Sequence, residues 1–190
     1  MRRVLGVLLV GAGLALLFGT LSRQPDLWRR WLAPVGTLVA GIEWVRADEA
    51  LRAGENWRAY GHAEAALRWS DQDSAGWIYY AHNLLFHEAR STRELKAGER
   101  EAYARAGLEV LERARARLPD PGEILIYEGA VWAGWAGLPA DLRPIRCSSA
   151  EAWQTAGRRF ASARAHGHPQ AAALQAAAEE QYSHAGGADR

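Results

Sequence analysis

Two pairs of histidines, one cysteine and a group of arginines are the side chains in this sequence with the best claim to chemistry. In AHNLLFHEAR, His82, His87 and Glu88 stand close together. A zinc-protease helix carries H-E-x-x-H, with its two imidazoles one turn apart on a single face. Residues five apart on a helix point about 140° apart at 3.6 residues per turn, so these three do not make a ligand set. His166 and His168 form H-x-H with no partner cluster nearby and read as turn histidines. Cys147 is the only cysteine; it has no disulfide partner and no neighbouring base to activate its thiol. G-x-S-x-G, the Walker glycine loop and G-x-G-x-x-G are all missing, and the glycines at 11 and 13 sit inside an apolar run rather than between a strand and a helix. Carboxylates lie on charged helix faces, as in EREAYARAGLEVLERARAR, where Glu101 with Arg105 and Glu109 with Arg113 are i, i+4 pairs. The expectation is a chain with no catalytic residue, no metal, no cofactor and no small-molecule substrate, hence not an enzyme.

Binding is what remains. Trp135 lies at the mouth of a proline-containing stretch, GLPADLRPIRCSS. An exposed indole there would anchor a partner, whereas a core tryptophan closing the fold is the plainer alternative. Arg143, Arg146, Arg158 and Arg159 gather around the same stretch and suit an acidic partner or anionic headgroups, unless they are only scattered surface charge.

These residues need elements to hold them. A chain of 190 residues buries about two-thirds of its unfolded surface, enough for one domain and an appendage. Its formal net charge of +1 lacks the basic face that displaces counterions from nucleic acid, so nucleic acid is not an expected partner. Lys96 is the single lysine among many arginines, and alanine is abundant, a bias that fits a GC-rich bacterial genome.

After Arg2 and Arg3 the chain is uncharged from Val4 to Leu21, reaching the lower end of the ~17–25 residues that span a bilayer. A transmembrane helix over residues 1–22 is expected. A cleaved signal peptide is the rival, but its apolar region is usually shorter and ends at an A-x-A-like site, which is missing. Gly11, Ala15 and Gly19 recur at i, i+4, i+8 and give one smooth strip on which another membrane helix could pack. In the juxtamembrane segment, residues 23–39, Trp28 and Trp31 bracket Arg29 and Arg30, a combination suited to headgroup level. Basic residues on both sides nearly cancel the orientation bias; the reading adopted is single-pass in the bacterial cytoplasmic membrane with the remaining chain outside the cytoplasm.

From residue 40 the spacing is helical. Ala40, Trp44, Ala47 and Leu51 form one stripe, with Glu43, Arg46, Asp48 and Arg52 facing away, and Gly54 suits the helix end. A second helix carries Ala59, Ala63 and Ala66, small enough for close antiparallel packing. The set Ala59, Ala63, Ala66, Asp71, Trp77, Ala81, Leu84 echoes 48 residues later as Gly107, Leu111, Ala114, Pro119, Leu125, Gly129, Trp132. A further 49 residues on it returns as Ala156, Phe160, Ala163, His168, Leu174, Ala178, Gln181.

With Ala47, Ala50 and Gly54 at the start, this pattern resembles the tetratricopeptide repeat over residues 40–183, departing from it at Asn56 and Ala63, where large aromatics are common, and at Asp71, where proline is usual. Against the usual period of about 34, two units carry roughly 14 or 15 extra residues each. The first insertion, FHEARSTRELKAGER, is helix-compatible and reads as lengthened flanking helices; the second, GWAGLPADLRPIRCSS, must be a loop. The resemblance implies an all-α fold of three hairpins and a closing helix, followed by a disordered tail at 184–190. It also implies a groove that binds protein partners. The expected role is a membrane-tethered scaffold binding a membrane-associated protein, with the lipid bilayer as its other partner. The alternatives are an accessory subunit of a transporter or secretion machine that makes its contact through the membrane helix, and a cleaved, secreted helical-repeat binding protein.

Overall fold

The computed structural model describes the backbone of residues 25–88 and 97–188, and side chains within those stretches from 34 to 86 and from 98 to 186. Among the described residues the fold is all-α. The helices are α1 (Pro25–Arg52), α2 (Asn56–Trp69), α3 (Ser74–His82), α4 (Ala97–Arg117), α5 (Gly122–Ala136), α6 (Ser149–Ala165) and α7 (Ala171–Ala188). A π-helical turn, Asn83–Glu88, continues α3, and one 3-10 turn, Ala140–Leu142, lies between α5 and α6. The chain divides into two compact units, the first ending at Trp69 and the second running from Ser70.

In the first unit α1 and α2 form an antiparallel hairpin with a seam of small side chains. Ala40, Ala47 and Ala50 of α1 and Ala59, Ala63 and Ala66 of α2 are buried. Gly36 lies against Trp69, where a Cβ would come 3.2 Å from the Trp69 carbonyl oxygen. The turn closes as expected at Gly54, whose φ of 74° is open to glycine at little cost. Glu55 N–H donates to Ala50 O and Gly54 N–H to Leu51 O, the Schellman pattern that satisfies the last carbonyls of a helix. Two expectations need correction. Residues 25–39 are not a separate segment but the first half of α1, with Pro34 inside it. Glu43 does not face away: it is half-buried, accepting a hydrogen bond from His62 Nδ1 at 2.6 Å.

In the second unit each hairpin packs on the next in chain order. The π turn drives Leu85 into the notch at Gly107, where a Cβ would sit 2.8 Å from Leu85 Cδ2 and 3.2 Å from the Ala81 carbonyl. Phe160 of α6 does the same at Gly129 of α5, leaving 2.9 Å between its Cζ and a Cβ there. Ala178 of α7 packs with Ala156 and Phe160. Most of the echoed positions are therefore interior: Leu111, Ala114, Leu125, Ala156, Ala163, Trp77, Ala81 and Leu84 are all buried. Asp73 caps α3 through Ala75 N–H, and Ser148 with Glu151 forms a reciprocal capping box at α6. The second insertion is a loop, as expected; the first adds the π turn on one side and the first residues of α4 on the other. α7 runs to Ala188, so residues 184–188 are helical where a disordered tail was expected.

No helix among the described residues is long and apolar enough to cross a membrane. The expected membrane segment 1–22, with Gly11, Ala15 and Gly19, lies outside them.

Candidate functional site

The face shared by α3 and α5 in the second unit gathers the most distinctive side chains. At its start the Ser74 hydroxyl donates to the Glu123 carboxylate. Further along, His82 Nδ1 meets the Tyr127 hydroxyl at 2.9 Å, so the two helices run in the same direction. Burial pushes the Tyr127 phenol far above its ordinary pKa, so it stays protonated. Phe86 then leans on the His82 ring at 5.0 Å between centroids. The π turn places Phe86 there, and turns of this kind often occur where a helix must re-aim a side chain at a functional surface.

Beyond Phe86 the face opens into a cavity of about 300 Å³, with Leu85, Phe86 and Trp135 on one side and Leu138, Leu142 and Pro144 of the insertion loop on the other. Gly134 forms part of the wall, and a Cβ there would meet nothing within 4 Å. Leu138 is 37% exposed and Leu142 51%, large apolar side chains held in solvent at the rim.

The rim is fastened from below. Arg143 Nε donates to Leu138 O at 3.0 Å and to Trp135 O at 3.2 Å, while its Nη1 donates to Cys147 O at 2.8 Å. Ser149 Oγ donates to Ala136 O at 2.7 Å. The guanidinium thus satisfies the open carbonyls at the C-terminus of α5, where positive charge also suits the helix dipole. Burial raises the Cys147 thiol above its usual pKa, against the opposing pull of Arg143, which makes it a poor nucleophile.

Behind the face, Glu128 of α5 is 2% exposed. Arg159 Nε of α6 lies 2.8 Å from its Oε1, and Arg115 Nε of α4 lies 3.4 Å from its Oε2. One carboxylate between two guanidiniums ties three helices together, in keeping with the rule that buried charge survives only when paired.

The expected binding residues separate accordingly. Trp135 is 2% exposed and packs edge-on against Trp132 at 5.0 Å between centroids. It is a wall of the cavity and not a projecting anchor, because the loop folds back over it; Trp132 is partly buried and packs against the cluster of Ala156, Phe160 and Ala178. Arg143 and Arg159 are engaged within the fold. Arg146 is exposed, and exposed Arg158 bonds to Gln154 at 3.1 Å beside a smaller cavity between α6 and α7. Trp28, Arg29, Arg30 and Trp31 fall in the first turns of α1, but their side chains lie outside the described ones.

Sequence reasoning missed Leu138, Leu142, Tyr127 and Glu128. The two leucines carried a signal, being apolar residues spaced through a proline-bearing loop with no hairpin stripe to join. Among the described residues no three His, Cys, Asp or Glu side chains converge as a metal would require. No family model, curated protein or solved structure matches the chain.

Proposed function

We propose that this chain is a membrane-tethered helical-repeat scaffold whose second unit docks an apolar segment of a protein partner against α3, α5 and the loop between α5 and α6. The observation that carries the reading is the cavity at Gly134 with Leu138 and Leu142 on its rim. A pocket lined by leucine, phenylalanine and tryptophan suits one or two buried apolar anchors, the arrangement that supplies most of the affinity in protein recognition. The resemblance of the sequence to tetratricopeptide repeats, a family that binds protein partners in a groove, supports the same reading. The apolar run at residues 4–21 supports the tether.

The test is affinity purification of the full chain from native membranes. Leu138→Asp with Leu142→Asp, and separately Gly134→Trp to fill the cavity, should each remove the co-purifying protein while leaving helical circular dichroism and melting unchanged. Retention of the partner by both variants overturns the docking face. If it is instead lost on Gly11→Leu with Gly19→Leu, the chain is an accessory subunit that makes its contact inside the membrane.

A further inference from the structure

Helix α1 has two apolar faces, and its own hairpin covers only one. The small residues Gly36, Ala40, Ala47 and Ala50 face α2. On the other side Val35, Leu38, Ile42 and Val45 are all exposed, Leu38 by 66% and Val45 by 59%. Their spacing of three, four and three is the a/d alternation of a coiled-coil seam, with β-branched Val35 and Ile42 at a and Leu38 at d. In the sequence the same register continues upstream through Trp31 and Trp28.

The stripe is also palindromic about residue 40. When two copies lie antiparallel across a two-fold axis, Val35 meets Val45 of the other copy and Leu38 meets Ile42, so each a position faces a d position. A closed two-fold pair requires that kind of self-complementary surface. Charge selects the same direction: residues 25–34 carry two arginines and one aspartate, whereas residues 43–52 carry three carboxylates and two arginines. An antiparallel pair brings the basic end to the acidic end; a parallel pair brings like ends together.

Gly41 adds an independent observation. It lies exposed in the middle of the stripe, where a Cβ would meet nothing within 4 Å. Glycine in an exposed helix interior is destabilising relative to alanine, and nothing within the hairpin requires it. Close to the two-fold it would lie beside the helix of the second copy, where the lack of a side chain lets the two backbones approach closely. We infer that this face of α1 is a self-association surface: it pairs antiparallel with the same face of a second copy, with Gly41 at the crossing.

The test uses the full chain in nanodiscs or density-matched detergent on a Cys147→Ser background. Sedimentation should show a reversible dimer. Leu38→Glu with Ile42→Glu should make it monomeric with unchanged helical content, and Gly41→Leu should weaken association at least tenfold while raising the melting temperature of the monomer. A mixture of Val35→Cys and Val45→Cys chains should form a mixed disulfide that neither chain forms alone. A monomer at every concentration, unchanged association of Gly41→Leu, or Val35→Cys crosslinking to itself overturns the proposal. So does a monomer whose Leu38→Cys, carrying an environment-sensitive dye, reports immersion in lipid, since the bilayer is then what covers the face.

Discussion

The α1/α2 hairpin and the α5/α6 hairpin share a backbone plan and differ in what fills the seam. The first is closed largely by alanines and carries a part-buried hydrogen bond between Glu43 and His62. The second sinks the Phe160 ring against Gly129 and buries Glu128 between two arginines. Leu67 is buried beside the alanines, but much of the bulk lies outside: Val35, Leu38, Ile42 and Val45 are in solvent, and Trp57 is 77% exposed. Where glycine makes room, as at Gly129, bulk goes inside.

The largest effect expected from breaking this contrast is at Glu128. Glu128→Ala strands two guanidiniums whose side chains are only a quarter to a third exposed, and should cost about 3 kcal/mol. Urea denaturation followed by tryptophan fluorescence measures it; a loss no larger than that of His62→Ala would show the triad to be idle.

Next come the close approaches. Gly107→Ala and Gly129→Ala push a Cβ into Leu85 and Phe160 and should cost about 1–3 kcal/mol each by overpacking. Ala59→Leu, Ala66→Leu and Ala114→Leu belong to the same class. Gly61→Ala, with open space around it, should stabilise by about 0.5–1 kcal/mol, and Arg58→Leu should be nearly silent. Melting curves in which Gly61 and Gly107 respond alike would contradict the register.

The smallest effect concerns pH. The His62 hydrogen bond, helped by Arg46, holds Glu43 below the usual glutamate range. A carboxylate with a lowered folded-state pKa adds stability above its unfolded value, and that contribution disappears as pH falls through the folded value. The melting temperature of the wild type should drop more steeply than that of Glu43→Gln on acidification below the ordinary glutamate pKa. Parallel curves would assign the contact no electrostatic role.

Much of the seam was legible from spacing alone, since Ala59, Ala63 and Ala66 fall on one helical face and are small enough to let a neighbouring helix approach closely. The Gly54 turn and the proline-bearing loop were legible for local reasons, left-handed backbone and missing N–H groups. Glu128 was not, because the second acid in GEILIYEGAVW looks as solvated as the first until helices distant in sequence supply its arginines. Whether Trp135 projects or is buried depended on which way the loop folds back, and three residues of helical spacing from Trp132 hold no information about that. The outer stripe of α1 was hidden by the inner one: a helix apolar on opposite sides has little amphipathic contrast to detect.

Arg143 has a kinetic consequence. Because its guanidinium binds the end of α5 on one side and the Cys147 carbonyl on the other, the loop bearing Leu138 and Leu142 is already ordered before anything arrives. Most of the conformational entropy that a free loop would surrender on contact has been lost during folding. Encounter then needs only orientation, without a search through loop shapes, so a partner at this rim can associate at the rate of a rigid surface.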